Sequence, residues 1–494
     1  MSGTGPAPKG NTGEARNLGL VALIGVVVGS MTGSAMFSLP QNMALKSAAG
    51  PVLIAWVIAG IGVFFIVSSF RILANERDDL NAGIYMYARE GFGSFMGFTA
   101  AWGYWLMACF GNVAYAVIFM ETLDYFFPGT FTGGNTIPAI IGGSIMLWAF
   151  QTQVLAGIRE AGKLNVIGTV AKAVPVLLFL VILAVTLDLT KLGSDFWGTA
   201  PAASSNLGDF ASQLTAPMLV TLWAFIGVEG AVVLSGRARN ERNVGRATVI
   251  GFCGALLVYI LISILPFGHL SQTELSALAN PSTAGVLDAV VGGWGAVLMN
   301  IALLLSVFAS FLAWTLLIAE IPFAAGRNGT FPRAFARTNR NGAESVSLWV
   351  STLVMQLTII LVYFSDHAWQ TMLSVTSVMV IPSYLLSCLF LWKIAGGARE
   401  ERLRTTGRST ALLSGICGSV FCLVILYAGG LQYVALVPVL LLAGVPVFIW
   451  SRREADDHRP AFTGRERIYV AILLLMNVGV LMLFASGVEN LSAL

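Results

Sequence analysis

The stretch GSMTGSAMFSLPQN, residues 29–42, interrupts an apolar run that begins at Leu18. A helix that crosses a bilayer needs about 20 mostly apolar residues. Here glycine, serine and threonine, followed by Pro40, stand where the middle of such a helix would lie. Irregular backbone at membrane depth is tolerated only where it is buried in protein or lines a cavity. The stretch therefore predicts a broken helix beside a binding cavity.

This break has the chemistry of an anion site. Gly33 has no Cβ and accepts unusual dihedral angles, while Ser30, Thr32 and Ser34 carry hydroxyls that can satisfy freed backbone groups. A break there creates a new helix start, with unpaired N–H groups and the positive end of the helix dipole. We expect this end to bind a negatively charged group in the middle of the membrane.

A second apolar run is interrupted in the same way. TLWAFIGVEGAVVLSG, residues 221–236, contains Gly227, Glu229 and Gly230 within otherwise apolar sequence. Paired interruptions at corresponding places in two halves of a chain indicate a transporter built from inverted repeats.

The composition is that of a polytopic membrane protein. Of 494 residues, 56% are hydrophobic and 11% are charged, against about 25% charged in soluble domains. The five cysteines show no CxxC spacing and the three histidines are far apart in sequence, so we expect no metal site and no cofactor. A net charge of +3 is too small to indicate a nucleic-acid partner.

Hydropathy indicates thirteen candidate membrane spans. They lie near residues 18–45, 50–74, 94–127, 136–156, 164–187, 211–235, 246–268, 292–325, 346–364, 368–394, 410–428, 430–450 and 468–486.

The basic residues orient these spans. All but three of the 28 Lys and Arg residues lie in the N-terminal tail or in loops on the same side of the membrane as that tail. Lys46 and Lys191 lie on the other side, and Lys172 lies within a span. Basic residues near span ends mark the cytoplasmic side. We therefore expect a cytoplasmic N-terminus and, with thirteen spans, an external C-terminus.

Three ionisable residues fall inside predicted spans. Glu229, Glu320 and Lys172 lie about 12, 10 and 13 Å from the basic ends of their helices. Such groups face the protein interior, because exposure to lipid would cost several kcal/mol. They form either an internal ion pair or a site coupled to substrate or proton. Their summed charge of −1 is a weak indication of a basic substrate.

Six segments in order resemble the amino acid–polyamine–organocation superfamily, and within it the basic amino acid/polyamine antiporters, nearest to arginine/ornithine antiporters. These segments are GSMTGSAMFSLPQNM (29–43), LNAGIYMYAREGFG (80–93), YWLMACFGN (104–112), TLWAFIGVEG (221–230), RARNERNVGRATVIGF (237–252) and AWTLLIAEIPFAAGRNGTFP (313–332).

The resemblance implies an all-α polytopic membrane protein with five-plus-five inverted repeats, broken helices 1 and 6, and about 12–13 transmembrane helices. Residues 1–17 would form a cytoplasmic tail, 18–188 the first repeat (helices 1–5), 210–394 the second (helices 6–10), and 410–486 additional helices 11–13. The implied location is the bacterial plasma (inner) membrane.

It also implies a substrate site. The α-carboxylate would bind at the first break, the α-ammonium at backbone carbonyls of the second, and Trp223 would stack on a guanidinium or alkyl chain. The implied substrate-binding residues are Met31, Thr32, Gly33, Ser34, Ala35, Asn112, Trp223, Ala224, Ile226, Trp314, Thr376 and Ser377.

Further residues are implied in gating and coupling. Tyr104, Glu229 and Tyr384 would form an inner gate with Glu229 as proton sensor, and Glu320 is a further coupling candidate. Lys172 would stand where related transporters bind sodium.

Three residues depart from the family pattern. Ala35 replaces a frequent glycine at the first break, and Met107 and Tyr115 differ from some arginine exchangers.

The implied function is exchange of a basic amino acid, arginine or lysine, for a related amino acid or amine such as ornithine. The alternative is a proton-coupled importer of an amino acid or polyamine. An enzyme is not expected, because no HExxH motif, GxSxG motif with its partners, or Cys/His cluster occurs. A channel would not need two breaks around one ligand, whereas a non-transporting sensor would have the same sequence features.

Expected partners are small amino acids or amines and the lipid bilayer, with no nucleic acid. A homodimer is compatible with these expectations.

Overall fold

The computed structural model describes most of the chain. The described residues are 20, 24, 28, 31, 33–77, 79–80, 83–157, 161–199, 207–228, 241–397, 403, 405–455, 460 and 462–485, with backbone alone for 161–170, 241–245 and 484–485. The predicted tail, 1–17, lies outside them.

The regular secondary structure of the described residues is helical, with no strand. The helices are α1 (Ala35–Ala44), α2 (Ala49–Glu76), α3 (Tyr85–Phe92), α4 (Ser94–Leu123), α5 (Ile137–Leu155), α6 (Ala161–Val185), α7 (Leu189–Ser194), α8 (Phe210–Thr215), α9 (Met218–Phe225), α10 (Glu241–Ile264), α11 (Gln272–Ser276), α12 (Ser282–Val291), α13 (Gly293–Arg327), α14 (Ser345–Val362), α15 (Ala368–Gly396), α16 (Arg408–Ala428), α17 (Leu431–Val434), α18 (Leu436–Leu442), α19 (Val445–Glu454) and α20 (Gly464–Ala485).

Ten helical segments of the described chain are long and apolar enough to cross a membrane. They coincide with predicted spans two to four and seven to thirteen. For the other three predicted spans, the described parts form shorter apolar helices: α1, Ala171–Val185 and Phe210–Phe225. The all-α polytopic class is thus confirmed. The division into repeats at 18–188 and 210–394 stays a prediction.

One apolar core joins the bundle. Helix α15 packs against α4 and α16, α13 against α6 and α4, and α16 against α2. Many large apolar side chains on the outside of the bundle are exposed, as lipid contact requires, for example Ile61, Ile145 and Leu475. The site described below lies inside, where α1, α4, α9, α13 and α15 meet.

Two short helices that the sequence analysis did not predict, α11 and α12, pack against α1. The Ser282 hydroxyl accepts a hydrogen bond from the Gln41 backbone N–H (3.1 Å) and donates to the Phe37 carbonyl (3.4 Å). It thereby bridges the turn of α1 that contains Pro40, where the proline lacks an N–H group. Helix α12 therefore stabilises the proline-containing helix that follows the first break.

The ends of α3 and α13 meet at what we call the basic face, which carries Arg77, Arg89, Arg327 and Lys393. The Arg89 guanidinium donates to the Asn328 carbonyl (2.9 Å), at the end of α13. This hydrogen bond holds α3 across the end of the bundle.

Candidate functional site

The first break lies immediately before α1. Gly33 and Ser34 lie just before α1, and the Gly33 N–H donates to the Met31 carbonyl (2.8 Å). Among the described residues, no side chain caps the start of α1. The Ser34 hydroxyl is buried and has no hydrogen-bond partner in the described part of the protein. This helix start therefore presents an unpaired buried hydroxyl beside the positive end of a helix dipole.

The second break lies at the end of α9. Ile226 is extended (φ −60°, ψ 131°), and Gly227 has φ +102°, a conformation that favours glycine. The Trp223 carbonyl accepts from the Ile226 N–H (3.1 Å). The Ala224 carbonyl accepts from the Tyr259 hydroxyl (3.0 Å). Because a helix ends here, this break presents carbonyl oxygens rather than N–H groups.

A cavity of about 20 Å³ lies between the two breaks. Its size suits one or two water molecules, so a larger ligand requires the surrounding helices to separate. The lining residues are Met31, Gly33, Ala35, Met107, Gly111, Tyr115, Trp223, Ile226, Trp314 and Thr376.

Aromatic side chains form much of the cavity wall. Trp223 packs edge-to-face on Trp369, with ring centroids 5.0 Å apart and an interplanar angle of 81°. The Trp314 side chain lies beside the Tyr115 hydroxyl, and both residues line the cavity. Indole rings at a cavity wall are suited to stack on a cationic or planar group.

Seven of the sequence-predicted residues line this cavity: Met31, Gly33, Ala35, Trp223, Ile226, Trp314 and Thr376. The sequence analysis missed Gly111. A Cβ at this position would lie 3.5 Å from Cγ2 of Thr376, an ordinary van der Waals contact, so α4 and α15 lie close together at the cavity. The position of Gly111 four residues after Met107 and four before Tyr115 was the signal that could have identified it.

Three other predicted residues contact neighbouring helices instead. The Asn112 amide donates to the Thr315 hydroxyl (3.0 Å), which joins α4 to α13. The Ser377 hydroxyl donates to the Leu219 carbonyl (3.0 Å), which joins α15 to α9. The Ala224 carbonyl accepts a hydrogen bond from the Tyr259 hydroxyl, which joins α9 to α10. These side chains and carbonyls support the walls of the site.

Thr32 and Glu229 lie outside the described residues. Tyr104, Tyr384 and Lys172 are buried, whereas Glu320 is exposed, contrary to the expectation that it faces the interior. The cavity lining contains none of these last four.

Tyr85 on α3 lies near Glu320 and accepts a hydrogen bond from the Asn328 amide (2.7 Å). Burial raises the pKa of Tyr85 to about 12, so its hydroxyl is neutral at physiological pH. Within the described part of the chain, no three His, Cys, Asp or Glu side chains are grouped as metal ligands.

A helical bundle with many apolar spans and two interrupted helices around a central cavity defines a polytopic membrane transporter. The model of the amino acid permease family matches residues 18–449. The chain therefore belongs to the amino acid permease family.

Several relatives are similar over nearly their full length, and each is named arginine/agmatine antiporter. The chain is 50% identical to the Chlamydia pneumoniae protein over 477 residues, which is 96% of this chain and 98% of the relative. It is 48% identical to the Chlamydia abortus protein over 472 residues, covering 95% and 97% of the two chains. It is 50% identical to the protein of Chlamydia trachomatis serovar L2 over 470 residues, again covering 95% and 97%.

Proposed function

We propose that this protein exchanges arginine for its decarboxylated amine, agmatine, across a bacterial plasma membrane. The observation that carries the proposal is near-full-length identity of about half to relatives named arginine/agmatine antiporter. The cavity between two helix breaks supports it, because the two breaks offer groups of opposite polarity.

Arginine matches this polarity at both ends of its backbone. Its carboxylate binds at the first break, against the Ser34 hydroxyl and the start of α1, where N–H groups and the helix dipole favour an anion. Its α-ammonium binds at the second break, against the carbonyls of Trp223 and Ile226. The guanidinium and alkyl chain stack on Trp223 and Trp314. Agmatine makes the same contacts apart from those to the carboxylate.

Exchange follows if the empty carrier changes orientation slowly. A bound substrate bridges the two breaks and stabilises the closed state that precedes reopening on the other side. The small cavity is consistent with a closed state in which α1 and α9 lie close together.

The gating roles are part of the same proposal. Tyr104, Glu229 and Tyr384 form the inner gate, and Glu229 or Glu320 responds to protons. The Lys172 ammonium takes the place of a sodium ion. The N-terminus is cytoplasmic, which makes the basic face the inner side of the bilayer. The protein is a carrier and not an enzyme.

Counterflow into proteoliposomes tests this proposal. Vesicles containing the purified full chain are loaded with unlabelled agmatine, with ornithine or with buffer, and labelled arginine is added outside. We expect arginine uptake that depends on internal agmatine. Uptake into buffer-loaded vesicles that requires a pH gradient would replace the proposal with the proton-coupled importer.

The ornithine vesicles decide the choice of counter-substrate. Equal uptake with internal ornithine and internal agmatine would mean that the site accepts a second basic amino acid as well as the amine. Uptake with ornithine alone would make the protein an arginine/ornithine exchanger.

A further inference from the structure

Tyr115 differs from the other residues that α4 contributes to the cavity. Met107, Gly111 and Tyr115 are spaced four residues apart and therefore follow one face of α4 over about 12 Å. Of the three, only Tyr115 carries a hydrogen-bonding side chain, and its phenol is largely buried. The family resemblance assigns no role to a tyrosine at this position.

The Tyr115 hydroxyl reaches the first break. A Cβ on Gly33 would lie 2.6 Å from this hydroxyl oxygen and 3.4 Å from Cζ. The oxygen therefore contacts the Gly33 backbone directly, next to the uncapped start of α1 and the unpartnered Ser34 hydroxyl. Tyr115 thus belongs to the backbone end of the site, where the proposed carboxylate binds.

Trp314 lies beside this hydroxyl. The indole N–H is the only hydrogen-bonding group of a tryptophan side chain, and it can only donate. Toward Trp314, the tyrosine oxygen can therefore only accept. The Tyr115 O–H group keeps its own proton to donate to a ligand in the cavity.

We propose that Tyr115 donates a hydrogen bond to the substrate carboxylate and so distinguishes the amino acid from its decarboxylated amine. This inference rests on the proposed arginine/agmatine exchange. The Tyr115 hydroxyl, the Ser34 hydroxyl and the start of α1 are all donors, and a carboxylate is purely an acceptor. Arginine satisfies these donors, whereas agmatine has no group that can reach them as an acceptor.

The tyrosine therefore acts on selectivity more than on binding in general. A hydrogen bond to a charged group contributes about 1.5–3 kcal/mol, which is about tenfold or more in affinity. Because the rest of the two ligands is the same, the hydroxyl changes the ratio of their affinities by about that factor.

The Tyr115→Phe variant tests this role, because it removes the hydroxyl and keeps the ring. Equilibrium binding of labelled arginine and labelled agmatine is measured on the purified full chain. We expect arginine to bind about tenfold more weakly and agmatine to change by less than about twofold. Tyr427→Phe is the matched control, since Tyr427 is 85% exposed, and it should change neither affinity.

A second variant covers the case in which Tyr115→Phe does not fold. Trp314→Phe removes the indole N–H beside the hydroxyl and keeps an aromatic ring at the cavity wall. We expect arginine binding to weaken about threefold more than agmatine binding, as for partial loss of one hydrogen bond.

Comparing the binding of arginine with that of agmatine distinguishes the possible outcomes. Equal weakening of arginine and agmatine in Tyr115→Phe would mean that the tyrosine only packs, and would overturn the inference. Unchanged arginine binding would overturn it as well. If the wild-type protein binds neither ligand, the proposed function itself is wrong, and the inference fails with it.

Discussion

The two helix breaks differ in what they leave for a ligand. At the first, the start of α1 is uncapped and the Ser34 hydroxyl has no partner among the described residues. At the second, neighbouring helices already hold the backbone of α9. The Tyr259 hydroxyl donates to the Ala224 carbonyl, and the Ser377 hydroxyl donates to the Leu219 carbonyl. We call the first break the open break, because its polar groups lack partners among the described residues. We call the second the braced break, because hydroxyls of other helices hydrogen-bond to its backbone carbonyls.

This difference has a physical basis in helix polarity. A glycine in an apolar run marks both breaks in the sequence, yet one begins a helix and the other ends one. A helix start offers N–H donors, and a helix end offers carbonyl acceptors. In the proposed function, the open break binds the carboxylate, which only arginine has. The braced break binds the amine, which arginine and agmatine share.

The largest effect is expected from Trp223→Ala, which removes the aromatic wall next to the second break. Uptake of both arginine and agmatine should fall by about a hundredfold, because a stacked cation contributes about 2 kcal/mol when desolvated and the Trp369 contact is lost too.

Truncation of a buried tryptophan also costs about 3–5 kcal/mol of stability, so uptake is normalised to folded protein. Trp223→Phe, which keeps a ring, should recover part of the activity. Uptake like that of the wild type in Trp223→Ala would exclude the stacking role.

Ser34→Ala tests the open break. Arginine should bind about tenfold more weakly while agmatine is unaffected, because only the carboxylate uses this hydroxyl. The melting temperature should not fall, since the hydroxyl has no partner to lose within the described part of the protein. Binding titrations and thermal unfolding check both points. A loss shared by the two ligands would contradict the assignment of this break to the carboxylate.

Tyr259→Phe tests the braced break. Loss of its hydrogen bond leaves the buried Ala224 carbonyl unpaired, which costs about 1 kcal/mol or more. We expect arginine and agmatine to bind about fivefold more weakly and to equal extents, because both place an ammonium there. The same titrations with both ligands measure this. A loss confined to arginine would mean that the two breaks do not divide the substrate as proposed.

Ser377→Ala should have the smallest effect on binding. The hydroxyl holds α9 against α15 and does not line the cavity. We expect the melting temperature to fall by about 1–2 °C and both affinities to stay within about twofold. Thermal unfolding and binding measure the two quantities. A strong loss of arginine binding at an unchanged melting temperature would return Ser377 to the substrate site, where the family resemblance placed it.

Hydropathy and glycine placement predicted much of the fold. Ten predicted spans coincide with long apolar helices, and both predicted interruptions occur. Helix α12 was missed because residues 282–291 form a short segment within a long loop. Its importance depends on Ser282, whose hydroxyl bridges Phe37 and Gln41 across the Pro40 turn. No local pattern indicates such a contact between distant residues.

The candidate site was predicted less completely than the fold. The breaks and the two tryptophans were found because glycine, proline and aromatic residues are distinctive within an apolar helix. Asn112 and Ser377 were expected at the substrate; they contact Thr315 and Leu219, and their substrate role stays a prediction. A buried polar residue in a span needs an interior partner, but the sequence does not show which partner satisfies it.

The sequence by itself determined the membrane class, the place of the spans and the two breaks. It could do so because lipid imposes a mostly apolar composition on spanning segments and tolerates irregular backbone only where it is buried in protein or lines a cavity. Only the tertiary structure decided which side chains meet, such as the Tyr115 hydroxyl at Gly33 and the Tyr259 hydroxyl at Ala224. These contacts depend on how each helix is rotated and crossed. Lipid-facing and core-facing residues are both apolar, so the pattern of residues along a span does not show how the helix is rotated.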